Sequence, residues 1–200
     1  LIYITMIFLI ILIINSNVYF YTIKINLEIY MNIVLLGYMG SGKTSVGIRL
    51  SSLINKQFFD LDEFIEEKYN QKIHNIFSTK GEIYFRKIES ECLKILMNNY
   101  DNVIISLGGG TPCYSNNIEI IKKSKSFYLK YSISNLSNRL LKINSTRPIL
   151  SQINDLPKMK DFVAKHLFER NYYFNQASKV IVCDLKNPDQ IASEILTTLS

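Results

Sequence analysis

From residue 31 onward, short runs rich in β-forming residues alternate with longer stretches in which apolar residues recur every three to four positions. That alternation is the sequence form of a parallel sheet joined by crossover helices. The short runs predict strands at 32–36, around Phe58-Phe59, and at 103–106, 126–130 and 179–182. The amphipathic stretches predict helices over 43–54, 61–69, 81–98, 115–122, 134–141, 158–176 and 188–196. Between the last two long helices of the middle region, 144–157 breaks the pattern with two prolines, two serines and Asn154-Asp155. A loop of this length in a compact domain predicts a mobile lid.

The first thirty residues stand outside this rhythm. Positions 1–14 are apolar except for Thr5, Asn15-Ser16-Asn17 interrupts, and Val18-Tyr19-Phe20-Tyr21 resumes. The first run falls short of the roughly 20 residues a bilayer core demands. Lys24 is the first charged side chain, so the run has neither basic flanks nor the positive n-region of a secretory signal, and no small-x-small cleavage site follows it. Met31, by contrast, opens a strand that reaches a glycine-rich loop six residues later. The expectation is an apolar leader over 1–30 outside the fold, an over-extended gene start or dispensable segment with a membrane anchor as its rival, followed by one domain over 31–200.

Composition narrows the class. With 48% hydrophobic and 20% charged residues the chain is globular. Its net charge of +6 is unchanged by the leader, which holds one Lys and one Glu. The lysines are scattered rather than gathered in a stripe with aromatics, so no nucleic-acid partner is expected, and an anionic small substrate explains the excess. Cys92, Cys113 and Cys183 lie too far apart for a zinc knuckle or a CxxC pair. They read as buried thiols in a reducing cytoplasm, and His74 and His166 are assigned no role.

The chemistry begins at Gly37-Tyr38-Met39-Gly40-Ser41-Gly42-Lys43-Thr44, directly after Ile33-Val34-Leu35-Leu36. This is the P-loop spacing in its strand-to-helix context. The glycines let backbone N–H groups converge on a polyphosphate at a helix N-terminus. Lys43 reaches the β- and γ-phosphates, and the Thr44 hydroxyl is suited to Mg²⁺. The loop by itself says only that a nucleoside triphosphate binds.

Asp60-Leu61-Asp62 follows the second strand, where an open α/β sheet delivers residues to its ligand crevice. Either aspartate also suits a plain helix N-cap. Arg86 and Glu89 sit three apart on a long helix opened by Gly81-Glu82, and read alone they make an ordinary ion pair. Gly108-Gly109-Gly110 ends the third strand, and three successive glycines there predict close approach of backbone to a ligand.

Taken in order, the GYMGSGKT loop, Asp-x-Asp, Gly-Glu-x-x-Phe-Arg-x-x-Glu, Gly-Gly-Gly, Arg-Pro-Ile-Leu and Arg-x-x-Tyr resemble the shikimate kinase family over 31–200. The resemblance implies a three-layer P-loop kinase fold, with a five-stranded parallel sheet, helices on both faces and a mobile lid. It also implies Mg-dependent transfer of the ATP γ-phosphoryl to the 3-hydroxyl of shikimate by a cytoplasmic monomer that needs no membrane. Carried over, Gly40, Ser41, Gly42, Lys43, Thr44 and Ser45 hold the ATP phosphates, with Thr44 and Asp60 at the metal. Asp62 orients or deprotonates the attacking hydroxyl, Arg86 and Arg170 grip the substrate carboxylate, and Glu89 steadies Arg86. Gly109 and Gly110 offer backbone donors to the ring hydroxyls, and Arg147 closes over the phosphates from the lid.

One position departs from the family pattern. An arginine that lies against adenine in many members is replaced by Leu140-Leu141-Lys142, with Arg139 slightly too early, which leaves the adenine contacts open. A kinase for gluconate or a nucleoside monophosphate is the rival reading. A GTP switch is disfavoured because Asn55-Lys56-Gln57-Phe58 lacks the aspartate of a guanine reader. A non-catalytic nucleotide binder would be expected to have lost Lys43, Asp62 or Arg147, and all three are present.

Overall fold

The computed structural model describes residues 31–143, 150 and 152–199. Its five strands, β1 (Ile33–Leu36), β2 (Phe58–Asp60), β3 (Ile104–Ser106), β4 (Lys125–Lys130) and β5 (Lys179–Val182), form one all-parallel sheet in the order β2-β3-β1-β4-β5. β1 is central, and all four of its residues have no solvent exposure. A strand reads as a continuous apolar run only when both faces are covered, which is why Ile33-Val34-Leu35-Leu36 shows no alternation. Its neighbours are β3 on one side and β4 on the other, so the topological switch lies at its carboxyl end, where such sheets bind ligands.

Seven α-helices accompany the sheet among the described residues: α1 (Lys43–Ile54), α2 (Leu61–Tyr69), α3 (Ile73–Asn99), α4 (Asn117–Ile121), α5 (Ile133–Leu141), α6 (Leu156–Phe174) and α7 (Pro188–Leu199). α1 packs on α7, α5 on α6, and α2 on α3. The packing of α1 on the sheet depends on Gly47, because a Cβ there would run into the Phe58 ring of β2. Gly47→Ala gains up to about 1 kcal/mol of helix propensity but overpacks a site where such strain costs about 1–3 kcal/mol. The net expectation is a lower midpoint in urea unfolding; a raised midpoint would mean that Phe58 yields freely.

Three differences from the sequence expectation bear on the site. The helix expected over 81–98 starts eight residues earlier, at Ile73, and carries a break at Gly81 (φ 81, ψ 172). Glycine is at ease in that backbone region, so the residue that looked like a helix start is a kink between two helical pieces. The helix expected over 115–122 shrinks to α4, preceded by a 3₁₀ turn at Thr111–Cys113 whose Pro112 favours its first turn. α6 begins at Leu156, capped by the Asp155 side chain accepting from Lys158 N at 2.8 Å, so the last two residues of the expected lid belong to a helix. Leu150 is fully buried in the core. Within the expected lid, 144–149 and 151, with Arg147, lie outside the described residues, as does the leader 1–30. Among the described residues no helix is long and apolar enough to cross a membrane.

Candidate active site

At the carboxyl end of β1 the chain turns through the glycine-rich loop, and Gly42 takes a left-handed conformation (φ 79, ψ 23) immediately before α1. The loop therefore ends at a helix N-terminus beside the crevice, the arrangement that binds phosphate. Lys43 is nearly buried, and its Nζ donates to Gly37 O at 2.9 Å, Tyr38 O at 3.1 Å and Ser41 Oγ at 3.4 Å. A cavity of about 240 Å³ opens above it, lined by Gly40, Gly42, Lys43, Thr44 and Ser45 on one side and by Asp60, Asp62, Ser106 and Gly108 on the other.

β2 delivers the two aspartates with different tasks. Asp60 is the N-cap of α2, with Oδ1 accepting from Asp62 N at 3.0 Å, while its Oδ2 accepts from Thr44 Oγ1 at 2.7 Å. The capping and metal-side readings of Asp60 are thus compatible, one per oxygen. Asp62 lines this cavity and also a second, larger one of about 530 Å³.

The second cavity holds the cationic groups. Arg86, on α3, donates from Nη1 to Glu89 Oε2 at 3.0 Å. Glu89 is only 1% exposed and also accepts from Thr111 Oγ1 at 2.6 Å, so it is a fixed counter-ion rather than a surface partner. Burial opposes the charge on Arg86, yet Glu89, with smaller help from Tyr114 and Glu82, more than offsets it, and the guanidinium pKa is raised. Arg170, on α6, donates from Nη1 to Gly109 O at 3.3 Å, with its guanidinium 5.6 Å from the centre of the Tyr38 ring. Gly109 therefore serves this site through its carbonyl, in addition to any use of its N–H. The glycine run also makes room: a Cβ at Gly110 would sit 2.9 Å from Arg86 Nη2, and one at Gly108 would sit 3.1 Å from Asp62 Oδ1.

Several residues of this site were not singled out in the sequence. His166 lies one helical turn before Arg170 and lines the same cavity; its Nδ1 pairs with Tyr38 Oη at 2.8 Å, joining α6 to the phosphate loop. Burial first, then the Arg170 charge, holds its pKa below the ordinary imidazole value, so the ring is neutral at neutral pH. Phe162, His166 and Arg170 are spaced by four, and that spacing was the available signal. Phe77 joins the cavity from the unforeseen first piece of α3, where Ile73, Ile76 and Phe77 show a helical apolar spacing. Glu82 and Tyr114 complete the rim around Arg86. All three cysteines are free, but Cys113 is half-buried rather than buried. Burial pushes its thiol up to about 11, which removes it as a nucleophile.

The cavity of the glycine-rich loop and the cavity of the two guanidiniums thus meet at Asp62, and on the all-parallel sheet with its strand-loop-helix cradle that layout defines a P-loop small-molecule kinase. A sequence model of the shikimate kinase family matches residues 39–200, and the chain belongs to that family. The shikimate kinase of Flavobacterium johnsoniae is 44% identical over 170 residues, covering 84% of this chain and 98% of its own. Among solved structures, the shikimate kinase of Bacteroides thetaiotaomicron aligns with a TM-score of 0.76 at 33% identity, covering 84% of this chain and 96% of its own. The Acinetobacter baumannii shikimate kinase, solved in complex with shikimate, gives 0.77 at 29% identity over 86% and 94% of the respective chains.

Proposed function

We propose that the chain transfers the γ-phosphoryl of ATP to the 3-hydroxyl of shikimate, forming shikimate 3-phosphate on the route to chorismate and the aromatic amino acids. The observation that carries this reading is the position of Asp62, on the wall between the phosphate cavity and the cavity that holds Arg86 and Arg170. Two guanidiniums suit the planar carboxylate of the acceptor. With the acid end held there, the ring hydroxyls extend toward Asp62, and Gly109 and Gly110 lie along the path. Asp62 orients the 3-hydroxyl and takes its proton as the oxygen bonds to the γ-phosphorus; the bond to the β–γ bridging oxygen breaks and ADP leaves. The loop from Gly40 to Ser45 holds the polyphosphate, and Lys43 turns from its loop carbonyls to the transferring group.

The residues present fit a magnesium ion. Thr44 Oγ1 and Asp60 Oδ2 are hard oxygen donors already side by side at the cradle. Among the described residues there is no group of three or more His, Cys, Asp or Glu side chains that would hold a metal. When bound, the ion neutralises charge on the β- and γ-phosphates. Residues 31–200 form the catalytic unit in this reading, acting as a cytoplasmic monomer.

The test is a coupled ADP-release assay with the full chain, ATP and Mg²⁺, using shikimate and gluconate in parallel. ADP release is expected only with shikimate. Equal release with gluconate, or none with shikimate, overturns the assignment.

A further inference from the structure

Arg86 is held by two carboxylates of opposite character. Glu89, buried and tied to Thr111, meets Nη1. Glu82 meets the other edge: its Oε1 accepts from Arg86 Nε and Nη2, both at 3.2 Å, and from Tyr114 Oη at 2.9 Å. The Nε/Nη2 pair is an edge on which a guanidinium receives a free carboxylate in a two-pronged grip. The Arg86 guanidinium also lies over the Tyr114 ring at 4.2 Å, so the ring and Glu82 together present this edge in one orientation.

We propose that Glu82 is a built-in surrogate for the substrate carboxylate, occupying the Nε/Nη2 edge of Arg86 until the acceptor displaces it. The inference rests on the reading of the second cavity as the acceptor site.

Three features make Glu82 the exchangeable partner and Glu89 the permanent one. The Glu82 side chain is 53% exposed against 1% for Glu89, so it rehydrates at little cost when it leaves. Its bond to Arg86 is an i,i+4 helix pair, an arrangement that contributes weakly where water has access. It directly follows Gly81, the kink in α3, whose surroundings are open within 4 Å. Glu82 also lines the acceptor cavity and feels the charge of Arg170 across it. A carboxylate held there repels an incoming acid as well as blocking its seat. The hydrogen bond from Tyr114, with Arg86 behind it, holds Glu82 below the usual carboxylate range, so it is ionised wherever the enzyme meets an ionised substrate.

The experiment is calorimetric titration of the full chain and of Glu82→Gln and Glu82→Ala with shikimate and, separately, with its methyl ester. Both variants are expected to bind shikimate about three- to five-fold more tightly, the exchange of a weak, exposed pair. Neither should gain for the ester, which brings no carboxylate to the contested edge. If shikimate binds the unmodified chain and both variants bind it equally or more weakly, Glu82 serves only to steady Arg86 and the inference falls alone. An equal gain for acid and ester would overturn it as well. If shikimate binds none of the three proteins, the reading of the acceptor site falls and takes this inference with it.

Discussion

Replacing Lys43 with alanine is expected to lower kcat by about 10²–10³-fold, the range seen when one preorganised charge donor is taken from a transition state. The Lys43 ammonium is nearly buried and rests on Gly37 O and Tyr38 O, one side-chain swing from the cavity above the loop. Its attraction to the γ-phosphoryl grows as charge moves onto the equatorial and bridging oxygens, so kcat should fall more than the KM for ATP rises. The loop conformation itself depends on Gly42 and on backbone bonds such as Ser41 N to Tyr38 O at 3.1 Å, none of which needs the lysine side chain. The variant should therefore keep its far-ultraviolet circular dichroism. Initial rates at saturating ATP and shikimate check the prediction, and an unchanged kcat would remove Lys43 from the chemistry.

Asp62→Asn is expected to lower kcat by about 10²–10⁴-fold, the usual worth of a positioned proton acceptor. Asparagine keeps the shape of the side chain at the wall between the two cavities and leaves the backbone bond from residue 62 N to Asp60 Oδ1 intact. What it loses is the charge and the capacity to take a proton from the acceptor hydroxyl. Binding of shikimate through Arg86 and Arg170 should persist, so KM moves less than kcat. Single-turnover phosphoryl transfer from labelled ATP reads the chemical step directly, and a normal rate there would show that Asp62 only binds.

These two groups were legible in the sequence because their signals are local. The P-loop is eight consecutive residues between a strand and a helix, and Asp60-Leu61-Asp62 follows the next strand at once. The strands were equally plain, since each is a short run of β-branched or aromatic residues. The start of α3 was not, because Gly81 has the look of a terminus while the helix resumes beyond it. His166 is illegible in the sequence for a different reason. A lone histidine on a helix carries no message until its partner is known, and Tyr38, its partner, lies 128 residues away in the chain. Glu82 shows no task of its own in the sequence, because its meeting with Tyr114 spans 32 residues and follows the 3₁₀ turn at Thr111–Cys113.

By itself the chain determined the alternation of strands and helices, the phosphate cradle and the identity of the charged groups, since each follows from residue types at short spacing. Only the tertiary structure decided which charges meet and on what terms. Arg86 has a glutamate three residues after it and another four residues before it, and in sequence the two are equivalent helix neighbours. Folding buries Glu89 beneath Thr111 and leaves Glu82 at the rim beside Tyr114. A buried, doubly bonded carboxylate is expensive to release and an exposed one is not, so burial, which no local pattern encodes, separates the fixed counter-ion from the exchangeable one.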